Sequence, residues 1–142
     1  RSSIVIDSDN TLYLPGISGM RAIDSTDCSE LWEVTLDGGG SGNIFILLGS
    51  DNMVYVIKGD KLFALDRHDG SIRWSYEFPP SNYINPPAIT SEGTLIVSLV
   101  HTSELDYYGV IYAFETESFS GLDSTAPWPM YRANPQRTGE RQ

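Results

Sequence analysis

Basic residues are scarce in this chain. Nine Lys and Arg stand against nineteen Asp and Glu over 142 residues, a formal net charge of −10. Proteins that grip a phosphate backbone draw most of their affinity from clustered cations, so the composition argues against a nucleic-acid partner. Cysteine is nearly missing: Cys28 stands alone, which excludes an internal disulfide and says little about redox compartment. No apolar run reaches the length of a membrane span, and no basic-then-apolar leader opens the chain. The first residues, Arg1 to Ile6, already read as the approach to a strand, as in a processed product or an excised fragment. Histidine is represented by His68 and His101 alone, far apart, with no cysteine at metal-ligand spacing, and both read as surface loop residues. Helical periodicity is absent throughout.

What is present is a succession of short alternating runs divided by turn formers, the pattern of an all-β domain. Ile4-Val5-Ile6, Thr11 to Leu14, Met20 to Asp24 and Leu31 to Leu36 read as four strands. A Gly38-Gly39-Gly40-Ser41-Gly42 connector follows; it lacks the Lys-Ser/Thr of a phosphate-binding loop and opens no helix. The same order then repeats in Asn43 to Leu48, Met53 to Ile57, Leu62 to Asp66 and Ile72 to Phe78. Trp32 and Trp74 are 42 positions apart (74 − 32), and so are Asp24 and Asp66, Ala22 and Ala64, Tyr13 and Tyr55, and Asn10 and Asn52. A third copy begins after Pro79-Pro80 with Asn85 to Thr90 and Thr94 to Leu99. A connection from His101 to Gly109, about six residues longer than its counterparts, leads to Val110 to Glu115, and no tryptophan follows.

A 42-residue unit of four short strands is the size of one β-propeller blade, a sheet apolar on both faces that is stable only between neighbours. The expected fold is therefore all-β: about three blades of four antiparallel strands, forming a partial propeller or part of an oligomeric or larger ring. Blade 1 is placed at about 1–42, blade 2 at about 43–84, blade 3 at about 85–131 and a polar tail at 132–142. Ala22, Asp24 and Trp32, with Ala64, Asp66, Gly70 and Trp74, read as a packing device. The tryptophan offers a plane to the next blade, the alanine leaves room for a ring, the aspartate accepts N–H bonds in the following turn, and the glycine takes that turn's left-handed residue. Trp-Asp and Gly-His pairs of WD40 repeats and the double glycine of kelch repeats are missing.

ALDRHDGSIRW, Ala64 to Trp74, resembles the tryptophan-docking repeat of PQQ-like (quinoprotein-type) β-propellers; AIDSTDCSELW, Ala22 to Trp32, resembles it with Cys28 in the usual place of glycine. Asn85-Pro86-Pro87-Ala88-Ile89 with Gly93 to Val97, and the tail Trp128 to Gly139, are similar to segments of the same family. The resemblance implies a bacterial, secreted or periplasmic protein. For an active dehydrogenase it also implies a quinone, a Ca²⁺ held by Glu and Asn, a catalytic aspartate and adjacent cysteines, of which the cysteine pair is missing.

No catalytic, cofactor or metal residue is assigned. Asp7-Ser8-Asp9-Asn10 has oxygens suited to Ca²⁺ but lacks the glycine and distal glutamate of a calcium loop, and it matches Ser50-Asp51-Asn52 as a repeated turn. Cys28 has no partner histidine nearby. Trp128, Met130 and Tyr131 read either as the outer strand completing blade 3 or as an exposed segment that docks on a neighbour. The expected function is a non-enzymatic scaffold or protein-interaction module, with a protein partner or a second copy closing the ring and no membrane span. PQQ and Ca²⁺ enter only under the alternative, a piece of a quinoprotein dehydrogenase. A carbohydrate-binding or cell-surface module is the further alternative.

Overall fold

A computed structural model describes residues 4–38, 44–81, 83–127 and 129–130. Its described elements are all strands: β1 (Val5–Ile6), β2 (Thr11–Pro15), β3 (Gly19–Asp24), β4 (Glu30–Thr35), β5 (Ile44–Leu48), β6 (Met53–Lys58), β7 (Lys61–Asp66), β8 (Ile72–Glu77), β9 (Tyr83–Ile84), β10 (Ala88–Ile89), β11 (Thr94–Thr102) and β12 (Tyr107–Glu115). They form three antiparallel sheets, β1-β2-β3-β4, β5-β6-β7-β8, and a third in which β9 and β10 share one side of β11 with β12 on the other. Each of the first two is a meander whose strands are joined by tight turns, as the spacing of Asn, Asp and Gly requires.

The 42-residue repeat reappears in backbone detail. Asn10 and Asn52 have φ of 63° and 60°, and Gly93, at the matching turn of the third sheet, has 86°. A register shift falls after Ala22 in β3 and after Ala64 in β7. Cys28 takes φ 63° where Gly70 takes 73°, so the cysteine adopts the left-handed conformation that its repeat partner reaches without a Cβ penalty.

Sheet 2 is the centre of the molecule. β6 and β7 are buried at four successive positions each, because side chains on both of their faces meet a neighbouring sheet. Alternate residues divide between two cores: Ile46, Val54, Val56, Phe63 and Leu65 pack with Val5, Tyr13, Met20, Ala22 and Trp32 of sheet 1. Leu47, Tyr55, Ile57, Leu62 and Ala64 pack with Leu95, Val97 and Leu99 of sheet 3. β11, by contrast, alternates buried and half-buried residues, the signature of one covered face.

Sheet 3 departs from the expected blade in three ways. Its inner position is split, because Pro86 and Pro87 interrupt the run between β9 and β10. One consequence is that Tyr83–Ile84 pairs with β11 and belongs to sheet 3, ahead of the expected boundary at 85. The segment from His101 to Gly109 is not a long loop: it extends the β11–β12 hairpin to nine paired residues on each side, with His101 in the strand, its ring 5.0 Å from that of Tyr108. Finally, among the described residues no outer strand follows β12.

Candidate interaction surfaces at the blade boundaries

At the boundary of sheets 1 and 2, Trp32 is 8% exposed and its indole Nε1–H donates to the Arg67 carbonyl at 3.0 Å. Its ring lies over Gly70, so closely that a Cβ built there would sit 2.5 Å from Trp32 Cε3. Tyr13 lies beneath the indole, centroids 5.9 Å apart. Ala22 is fully buried in the same cluster. Asp24 and Asp66 organise the turns that follow them: Asp24 Oδ1 accepts from the Thr26 N–H at 2.8 Å, and Asp66 Oδ1 from the His68 N–H at 2.8 Å. Arg73 also bonds the Asp66 carboxylate, at 2.5 Å, and this hydrogen bond, with the His68 N–H, holds the carboxyl below its usual range.

Beneath each tyrosine is a carboxylate, but the repeat supplies it from different positions. Tyr13 donates to Asp7 Oδ2 at 2.8 Å, while Tyr55 donates to Asp51 Oδ2 at 2.5 Å. The residue matching Asp7 is Gly49, where a Cβ would collide with Ser118 Oγ and Asp51 Oδ1. Blade 2 therefore reaches the tyrosine from two residues further on. Burial, and then the hydrogen bond to the carboxylate, pushes both phenols well above the ordinary tyrosine value.

The boundary of sheets 2 and 3 repeats this frame with one part exchanged. Tyr55 and Trp74 lie 6.0 Å apart at 49°, close to the 5.9 Å and 47° of Tyr13 and Trp32, and Ala64 is fully buried. Trp74, however, stacks on Phe114 at 6.0 Å, because the left-handed glycine that follows β12, Gly121, comes later in its turn than Gly70 and lies against the Thr90 carbonyl, not under the indole. Phe78, Tyr112 and Phe114 extend the ring packing, with Phe78 and Tyr112 5.0 Å apart.

The chain after Gly121 crosses back to sheet 2 and lies along the free edge of β5. Leu122 bridges Gly49 and Met130 bridges Leu47, with the Leu48 N–H donating to the Pro129 carbonyl at 2.8 Å. Arg67 fixes this strap: its Nη1 meets Asp123 Oδ2 at 2.6 Å and its Nη2 donates to the Gly49 carbonyl at 2.7 Å. Burial opposes ionisation of Asp123, but hydrogen bonds from Thr125 and Arg67 outweigh it and leave the carboxyl below the ordinary range. Met130 is thus 2% exposed in the second core, beside sheet 2. It is neither in an outer strand of blade 3 nor exposed, because the open β5 edge offers backbone partners; Trp128 and Tyr131 lie outside the described residues.

Among the described residues, two faces remain uncovered. On β12, Tyr112 and Phe114 pack inward, so alternation turns Ile111 and Ala113 outward, and Ile111 is 72% exposed. On sheet 1, Ile4 and Leu31 flank the inward-packed Val5 and Trp32 and are 53% and 52% exposed. No metal-holding cluster of His, Cys, Asp and Glu occurs among the described residues. His68 and Cys28 are both exposed, in the turns after β7 and β3.

The family profile described as outer membrane protein assembly factor BamB matches residues 6–138. The chain belongs to this PQQ-like β-propeller family. Among solved structures, BamB from Moraxella catarrhalis superposes with a TM-score of 0.61 at 19% identity, covering 84% of this chain and 35% of that one. The serine/threonine-protein kinase AfsK of Streptomyces griseus is 28% identical over 110 residues, 75% of this chain. This chain spans 13% of the kinase's length and 35% of the BamB chain.

Proposed function

We propose that this propeller segment is a non-enzymatic scaffold whose two uncovered blade faces are protein-interaction surfaces. The observation that carries the reading is the contrast between sheets. Sheet 2 is buried on both faces, whereas sheets 1 and 3 each leave an apolar face in water, with Ile4, Leu31 and Ile111 more than half exposed. Such faces mark contact sites. In this reading Trp32 and Trp74, with Ala22, Ala64, Asp24, Asp66 and Gly70, are docking residues that hold one blade to the next. Blade 1 carries Cys28 where a docking tryptophan requires glycine, and blade 3 has no tryptophan matching Trp74. The two uncovered faces thus lack opposite halves of the docking pair and suit one another. In a solution of this chain alone, the face of sheet 3 takes sheet 1 of a second copy, and two copies close six blades about a two-fold axis. The family's description as an outer-membrane assembly factor supports an extracytoplasmic site of action.

The competing reading is a piece of a quinoprotein dehydrogenase. Titration with PQQ and Ca²⁺, followed by absorbance and dye reduction, separates the two. The scaffold reading expects no saturable change and no dye reduction; Ca²⁺-dependent turnover overturns it.

A further inference from the structure

The two blade boundaries each carry a cleft, and the clefts are the same place in successive repeats. In the first, Asp9, Thr11, Tyr13 and Trp32 face Asn52, Asp66 and Arg67 around about 470 Å³. In the second, Asp51, Met53, Tyr55 and Trp74, each 42 positions on, face Gly93, Glu115 and Thr116 around about 710 Å³. The pairing of Met53 with Asp66 and of Thr94 with Glu115 makes Thr116 the counterpart of Arg67, and Glu117 that of His68.

This exchange leaves the second cleft without a counterpart of Arg67. In the first, the Arg67 guanidinium lies within electrostatic reach of the Tyr13 phenol, and the Arg67 carbonyl accepts the Trp32 N–H. In the second, Asp51, Glu92, Glu115 and Glu117 line the walls, and the one cation there, Arg73, is already held by Asp66. No metal-ligating group is formed among the described residues, so the carboxylates do not converge as a metal site. Trp74 has no hydrogen-bond acceptor among the described residues, although Trp32 has one.

Among the described residues the same end of the molecule presents an unpaired sheet edge: β3 and β7 each pair with an outer strand, β4 and β8, whereas β12 pairs only with β11. Its nine residues end at Glu115, in the wall of the second cleft. An exposed edge of that length is a template for another strand. A strand added antiparallel to β12 in the manner of β8 on β7 starts beside Glu115, so its first residues enter the cleft.

We propose that the edge of β12 and the adjoining cleft together bind an extended basic segment of a partner protein. The segment adds as the fourth strand of sheet 3 and places an arginine or lysine among the carboxylates, with a backbone carbonyl for Trp74. Main-chain pairing supplies the affinity and the acidic cleft the choice of sequence, as in other strand-addition complexes. The inference rests on the scaffold reading but uses a different surface from the open blade faces.

The test is fluorescence anisotropy of a labelled octapeptide of alternating valine and threonine with two arginines at its N-terminal end, titrated with the 142-residue chain. Saturable binding that weakens with salt is expected. It should weaken at least tenfold for the double variant Glu115→Lys/Glu117→Lys, and as much for a peptide N-methylated at alternate residues. Both glutamates are exposed, so the variant keeps its fold, which circular dichroism checks. Asp9→Lys, in the first cleft, should leave binding within twofold. Equal binding of a glutamate-substituted peptide, or affinity undiminished by the double charge reversal, overturns the proposal. So does binding that appears only after truncation at Met130, which assigns the edge to residues 131–142 of the chain itself. Loss of binding in step with dimer formation assigns the edge to a second copy and overturns the proposal equally. A chain that self-associates through its blade faces yet binds none of the peptides refutes this inference and leaves the scaffold reading standing.

Discussion

The turn position shared by Cys28 and Gly70 predicts opposite effects from two small substitutions. Gly70 has φ 73° and a Trp32 ring carbon 2.5 Å from where its Cβ would lie. In Gly70→Ala the left-handed backbone costs about 1–2 kcal/mol. Forcing a methyl into the packed ring costs about 1–3 kcal/mol more, since Trp32 must shift from the Arg67 carbonyl that it bonds. The sum is about 2–5 kcal/mol of destabilisation. Cys28 has φ 63° but is exposed. Cys28→Gly relieves the same backbone strain and loses part of the gain to the greater freedom of glycine in the unfolded chain, for a net stabilisation of about 0.5–1 kcal/mol. Urea unfolding followed by tryptophan fluorescence reads both. With a slope of about 2 kcal/mol per molar, a loss of about 3 kcal/mol lowers the midpoint by about 1.5 M, and the cysteine variant raises it by about 0.3–0.5 M. Shifts of the same sign in the two variants, or a Gly70→Ala loss under about 0.5 kcal/mol, refute the idea that Trp32 packs on a glycine that must stay bare.

Three further outcomes follow from the same contacts. Asp123→Asn leaves the half-buried Arg67 guanidinium without its charge partner and should cost about 2–4 kcal/mol, with protease cleavage appearing first in the 121–130 strap; an unchanged digestion pattern counts against the strap being held there. Because the folded Asp123 carboxyl lies below its unfolded value, its contribution is present above the ordinary carboxylate range and is lost as pH falls through the folded value, so acid should release the strap before the sheets melt. Tyr13 and Tyr55 have folded values above the unfolded one; their contribution is full below about pH 10 and declines as pH rises beyond it, so parent stability should fall at alkaline pH while Tyr13→Phe/Tyr55→Phe shows a flatter profile from a lower starting point.

Most of sheets 1 and 2 was legible because the strands are short and divided by Asn, Asp or Gly, and because Asn10, Tyr13, Ala22, Asp24 and Trp32 all recur 42 positions on. The left-handed Cys28 was legible too, since a repeat shows where glycine belongs. Sheet 3 was less so, for physical reasons. Proline divides its inner position into β9 and β10, and in the run from His101 to Gly109 the turn is closed at the centre, between Ser103 and Asp106, so the hairpin lengthens on both sides instead of looping. Met130 reads as apolar and strand-like, but nothing local says which edge it will pair with; the vacancy on β5 and the reach of Arg67 to Asp123 decide that. The second cleft was hidden for the same reason. Its acidity comes from comparing Thr116 and Glu117 with Arg67 and His68, an equivalence fixed by strand register after the spacing has drifted from 42.

The scaffold reading stands or falls on whether the uncovered faces of sheets 1 and 3 are contact surfaces. Sedimentation of the 142-residue chain over a concentration series, beside Ile111→Glu, measures this most directly. The account predicts a parent whose mass rises toward two copies and a variant, altered at a side chain 72% exposed, that stays at one copy and melts where the dilute, single-copy parent does. A parent that remains a single copy at every concentration contradicts it.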